Sequence, residues 1–76
     1  MNNGTEIIFE IKKHIGVIEA HEGWKKEVNI VAWNGGAPKI DIRSWSESHE
    51  QMTRGITLTD DEARALALAL IKHYAE

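Results

Sequence analysis

The sequence predicts an α+β fold: a curved four-stranded antiparallel β-sheet followed by one C-terminal α-helix, in the order β-β-β-β-α, assembled as a homodimer. Three observations predict it. Ile- and Val-rich runs with imperfect two-residue alternation fill the chain up to residue 58, punctuated by Gly, Asn and Pro. A capping box at Thr59 opens an apolar segment of helical period. The chain has 76 residues and no cysteine, so no disulfide or thiolate metal site can staple a core that is marginal at this size. Self-association is the expected remedy.

The first strand is expected from Thr5 to Ala20. Ile7, Phe9 and Ile11 share one phase, and Ile15 and Val17 continue it past Lys13. Gly16 inside the run predicts a bend or bulge, which makes one long curved strand or two abutting ones. His21-Glu22-Gly23 then punctuates the chain. Trp24 to Asn34 forms the second strand, ended by the turn signal Asn34-Gly35-Gly36-Ala37-Pro38. Lys39 to Ser46 is the third strand, Ser46 to Arg54 a polar loop, and Gly55 to Leu58 a short fourth strand.

Thr59-Asp60-Asp61-Glu62 starts the helix. The Thr hydroxyl suits the third helical amide, Glu62 reaches back, and the three acids suit the positive end of the helix dipole. Leu66 and Leu70, widened by Ala63, Ala67, Ile71 and Tyr74, form a stripe expected to cover the sheet. Leu68 lies off that stripe. The surplus apolar surface is expected to meet a second copy, with Leu68, Ile71 and Tyr74 as dimer contacts.

Charge bears on function in two ways. Nine Lys and Arg face twelve Asp and Glu, which argues mildly against a nucleic-acid binder. The acids are unevenly placed, however: residues 24–54 hold five Lys and Arg against four Asp and Glu, so a local basic face is allowed. No apolar run reaches transmembrane length, and the first residues lack signal-peptide character, so a cytoplasmic protein, nucleoid-associated at most in a bacterium, is expected.

The clearest functional signal is Lys39-Ile40-Asp41-Ile42-Arg43-Ser44-Trp45. In a strand, Ile40, Ile42 and Ser44 turn to one face, expected to meet a core, while Lys39, Asp41, Arg43 and Trp45 turn to the other. A cation beside an exposed indole suits an unpaired nucleic-acid strand, since one neutralises phosphate and the other stacks on a base. Trp33 is in phase with Lys25, Glu27, Asn29 and Val31, and Trp24 abuts a turn ahead of Lys25 and Lys26. The expected arrangement puts Trp24, Trp33 and Trp45, with Lys26, on one polar side of the sheet. Lys25, Lys26, Lys39, Arg43 and Arg54 are the candidate phosphate contacts. Each has a plainer reading: any Trp is as readily a core residue, an isolated Lys is ordinary surface, and Asp41 offers Arg43 an ion-pair partner. The mid-strand place of Arg43 beside Trp45 favours ligand contact.

His14, His21, His49 and His73 lack cysteine partners and helical His-x-x-x-His spacing, so no metal site is expected. No Ser/His/Asp constellation or phosphate-cradling glycine loop is present, and the acids at 60–62 serve helix capping. Neither an enzyme site nor a cofactor is expected.

These residues resemble a known family. Ile40-Asp41-Ile42-Arg43, the aromatic Trp45, a polar loop and Arg54-Gly55-Ile56-Thr57-Leu58 before an acid-started helix are similar to the transcriptional coactivator "positive cofactor four" family, over roughly residues 6–74. Its bacterial YdbC-type branch is the nearer likeness, through Trp24–Glu27, Ala32–Asn34 and Asp41–Trp45. The resemblance implies a strongly curved sheet and one helix, a homodimer with helices packed across its interface, and single-stranded DNA on the sheet face. By that resemblance Arg43 matches the strand-three arginine and Trp33 the strand-two aromatic platform. Trp45 matches the aromatics after the arginine, Lys26 matches a basic position opening strand two, and Lys39 falls in a loop of variable length. The Ser- and Lys-rich regulatory extension of eukaryotic members is missing, so a role in activator-dependent transcription is not implied.

The expectation is therefore sequence-tolerant binding of single-stranded DNA, with RNA open to the same chemistry, in transcription or DNA maintenance, with transcription or replication proteins as further partners. The competing reading is a protein–protein interaction module without nucleic-acid binding, motivated by low net charge and the two-sided apolar helix.

Overall fold

The computed structural model describes residues 7–75. Its elements are β1 (Phe9–His21), β2 (Trp24–Trp33), β3 (Lys39–Ser46), β4 (Ile56–Leu58) and α1 (Asp60–Tyr74). The strands form one open antiparallel sheet in the order β1-β2-β3-β4, so each strand pairs with its neighbour in sequence. The predicted start of the first strand at Thr5 lies outside the described residues. The hairpin turns fall where expected. Glu22 and Gly23 both take positive φ, as do Asn34 and Gly35, the conformation a tight turn between right-twisted strands requires. The amide and side-chain oxygen of Asn34 also bond to the carbonyl and amide of Ile8, tying the approach to β1 to the end of β2.

Three bulges interrupt β1, between Ile11 and Lys13, His14 and Gly16, and Val17 and Glu19. Each inserts one unpaired residue, bends the strand and moves its pleat by one position. The bend expected at Gly16 is present, but the phase expected for Ile15 is corrected. Phe9, Ile11, His14 and Val17 stand opposite Trp33, Val31, Asn29 and Glu27, and share their face. Ile15 and Ile18 are the extra residues of two bulges and stay exposed.

The sheet's two faces reverse the expected division. The face expected to be polar and open carries Glu27, Asn29, Val31, Asp41 and Trp45, all buried. It is the inner face, closed by Phe9 and by the Ser46–Arg54 loop. The face expected to meet a core carries Val28, Ile30, Ile40 and Ile42, and these are half-buried. Strand alternation read correctly which residues travel together. The cover came from elements that alternation does not describe.

Thr59 builds the capping box as expected: its Oγ1 accepts from the Glu62 amide at 3.1 Å, and Glu62 Oε1 accepts from the Thr59 amide at 2.8 Å. The expectation that α1 covers the sheet is corrected. No helix residue is buried, and the Leu66–Leu70 stripe is exposed. The helix touches its own sheet only along β3 and β4. The radius of gyration is 14.2 Å, against about 11 Å for a compact chain of this length. The described residues of one copy leave its helix exposed and its outer sheet face half open.

Candidate nucleic-acid interface

Arg43 sits at the centre of the inner face, but it is not a free cation. Its Nε donates to Asp41 Oδ1 at 2.7 Å and its Nη2 to Asp41 Oδ2 at 2.8 Å, a bidentate pair with Arg43 14% exposed and Asp41 sealed. Thr57 Oγ1 donates to Asp41 Oδ2 at 3.1 Å, and Arg43 Nη1 donates to the Thr53 carbonyl oxygen at 3.3 Å. The guanidinium lies 4.6 Å from the centroid of the Trp33 ring, in cation–π range. The plainer reading of Asp41, an ion-pair partner, is the one the structure adopts.

Trp45 is 0% exposed. Phe9 packs against it at 5.0 Å between ring centroids and His49 at 5.4 Å, and its backbone bridges to Met52. The expectation of an exposed indole at 45 is corrected, because the loop that sequence reading left as polar and open folds over this ring. A base would reach Trp45 only if that loop moved aside. Trp33 is half-buried between Arg43 and Phe9, the latter at 5.8 Å.

The register corrects a second expectation. Lys26 stands opposite Ser44 and Trp24 opposite Ser46, so both lie on the outer face, away from Arg43 and Trp33. Lys25, opposite Trp45, and Lys39, opposite Val31, join Arg43 as cations of the inner face. The predicted site is thus divided between the two sides of the sheet.

What the outer face gains is a groove. A cleft of about 370 Å³ is lined by Glu19, His21, Glu22, Trp24, Lys26, Ser44 and Thr53. A second, of about 340 Å³, is lined by Lys26, Ser44 and Thr53 again, with Ile42, Arg43, Arg54, Gly55 and Ile56. The shared residues make one path from an indole past a lysine and two hydroxyl residues to an arginine. Lys26 and Arg54 are exposed, and neither forms an ion pair among the described residues, although Glu19 stands opposite Lys26 in register. Trp24 is half-buried, and of the three indoles it alone makes no ring-stacking or cation–π contact among the described residues.

Gly55 makes this path possible. A Cβ there would collide with Arg43 Cβ and with the Ile42 carbonyl oxygen, so only glycine lets the chain pass so close to β3. Sequence reading missed Ser44 and Thr53. The Ser44 amide donates to Thr53 Oγ1 at 3.2 Å across the loop, a pairing with no signal in local pattern.

A family model described as Transcriptional Coactivator p15 (PC4) matches residues 20–69, which span β2, β3, β4 and most of α1. The chain belongs to the PC4 family. An uncharacterized protein of Treponema pallidum (strain Nichols) is 37% identical over 59 residues, covering 76% of this chain and 69% of the relative. PC4 membership suggests DNA binding and a coactivator-like role, and the family is a nucleic-acid-binding, non-enzymatic one. No helix among the described residues is long and apolar enough to cross a membrane.

Proposed function

We propose that this PC4-family protein binds single-stranded DNA, with little sequence preference, as a homodimer. The observation that carries the reading is the outer groove, where an indole without a stacking partner and two cations outside any ion pair, among the described residues, lie along one path. Trp24 stacks on a base, Lys26 and Arg54 contact phosphates, and Ser44 and Thr53 offer hydroxyls to the backbone. Lys25 and Lys39 extend the positive surface on the inner side. Trp33 contributes the part of its ring left open beside Arg43, and Trp45 supports the sheet from within. Single-stranded RNA presents the same phosphates and base faces and is the natural competitor.

Dimerisation is supported by what one copy leaves uncovered. Leu68, Ile71 and Tyr74 are 68%, 64% and 77% exposed on a helix with no buried residue. Burying each fully gains about 1.5–3 kcal/mol, enough in number to hold two small subunits together. Sedimentation at tens of micromolar should give twice the 8.6 kDa chain mass, and Leu68→Glu with Ile71→Glu should return it to that mass.

Titration with oligo-dT is the direct test of binding. Trp24→Ala should weaken binding by about 1–3 kcal/mol, the usual worth of one stacked base. If about four phosphates are neutralised, log affinity should fall with log salt at a slope of roughly −2.8. Wild-type protein that shows no binding at low salt would leave the interaction-module reading in its place.

A further inference from the structure

The inner face holds a second group of charges that the groove does not use. His14 from β1, Lys25, Glu27 and Asn29 from β2, and His49 from the covering loop line an open cleft of about 350 Å³, walled by Ile11 and Val17. Asn29 joins them: its Nδ2 donates to Glu27 Oε1 at 3.0 Å, and its amide oxygen accepts from His14 Nδ1 at 2.8 Å. His49 Nε2 donates to Glu27 Oε2 at 3.1 Å. Each imidazole is therefore held by one nitrogen. The other, Nε2 of His14 and Nδ1 of His49, has no protein partner among the described residues. The side chains of His14 and His49 are 52% and 39% exposed. Buried Glu27 and Asn29 orient two rings whose free nitrogens can meet a ligand.

The charge of this cleft depends on those rings. Burial by itself would raise the Glu27 carboxyl, but hydrogen bonds from Asn29 and His49 and the charges of His49 and His14 outweigh it and hold the pKa below its ordinary 4.5. Lys25 and ionised Glu27 cancel. Arg43, opposite Glu27 in register, is already matched by Asp41. With both rings neutral the cleft is close to neutral, and with both protonated it is a doubly positive pocket. The cleft is also within reach of the groove, because Lys25 lines a further depression with His21, Glu22 and Trp24 at the β1–β2 turn.

We propose that the His14–Lys25–His49 cleft is a phosphate subsite for single-stranded nucleic acid, reached over the Trp24 turn and engaged when the two imidazoles are protonated. The proposal rests on the nucleic-acid-binding reading above and adds to it a ligand contact on the opposite face. Glu27 and Asn29 are positioning residues, and the two rings and Lys25 make the contact.

The test is fluorescence anisotropy of labelled oligo-dT across a salt series, at about pH 8 and about pH 5.5. Each new imidazolium–phosphate contact on a single strand should steepen the log–log salt slope by about 0.7, and two by about 1.4. In a His21→Gln background, which removes the imidazole lining the outer groove, His14→Gln with His49→Gln should abolish the steepening, while His73→Gln, on the helix, should leave it unchanged. Steepening that survives in the double variant, or its absence from the wild type, overturns the subsite while leaving binding at pH 8 and the proposed function intact. Absence of binding at both pH values overturns both. Should the double variant lose its far-ultraviolet circular dichroism, His49→Lys decides. With a cation at every pH it should already show a slope steeper by about 0.7 at pH 8, and a slope equal to wild type overturns the subsite.

Discussion

The inner face of the sheet is rich in charged and aromatic residues, yet it contains the buried centre of the molecule. The outer face is lined by Val28, Ile30, Ile40 and Ile42, yet stays half open. The difference lies in what covers each. Phe9 and the Ser46–Arg54 loop close the inner face, and its central charges are paired: Arg43 with Asp41, Glu27 with Asn29 and His49, while the buried indole N–H groups of Trp33 and Trp45 have no partner among the described residues. Among the described residues the outer face has no such cover. A face that looks polar can be core when its charges neutralise one another, and an apolar face can await a partner. In a chain of this size both happen on the same two strands.

The sharpest way to break that comparison is to remove one indole from each side. Trp45→Ala should cost about 3–5 kcal/mol of stability, as for other large aromatics removed from a core, whereas Trp24→Ala should cost far less and act on binding. Chemical denaturation of the two variants checks this. Equal losses would mean that the two indoles are equally structural. Gly55→Ala probes the seam between the faces. The added methyl has no room beside Arg43 and the Ile42 carbonyl, so about 1–3 kcal/mol of stability should be lost, and the Lys26–Arg54 end of the groove should be displaced.

The smallest effect concerns acid. The Glu27 carboxyl is held below its ordinary 4.5 in the folded chain, so the stability it contributes is present above that pH and is lost as pH falls through the lowered value. Thermal melts below pH 4.5 should show this decline in the wild type and a flatter profile in Glu27→Gln. Identical profiles would show that the inner network does not depend on an ionised Glu27.

The elements themselves were legible because each rests on local chemistry. Lys39 to Ser46 alternates cleanly, Asn34-Gly35 requires a turn, and Thr59 with Glu62 makes a capping box whose two hydrogen bonds are both present. The family resemblance was legible for the same reason, since it lies in segments of a few residues in order. Arg43 is legible as central to its strand, but its bidentate pairing with Asp41 is not. The pleat puts Asp41 and Arg43 on one face without saying whether their charges turn to each other or to a ligand.

What only the tertiary structure decided is which side of each strand is covered. Three bulges in β1 shift its phase, so that His14 rather than Ile15 joins Asn29 and Glu27. The loop brings His49 onto Glu27 across 22 positions of sequence. The register sends Lys26 and Trp24 away from Arg43 and towards Ser44, Thr53 and Arg54. Periodicity is a property of neighbours along the chain, and it settles strand, turn and helix. Burial belongs to whatever packs on top, from distant segments here and, on the outer face, by proposal, from a second copy.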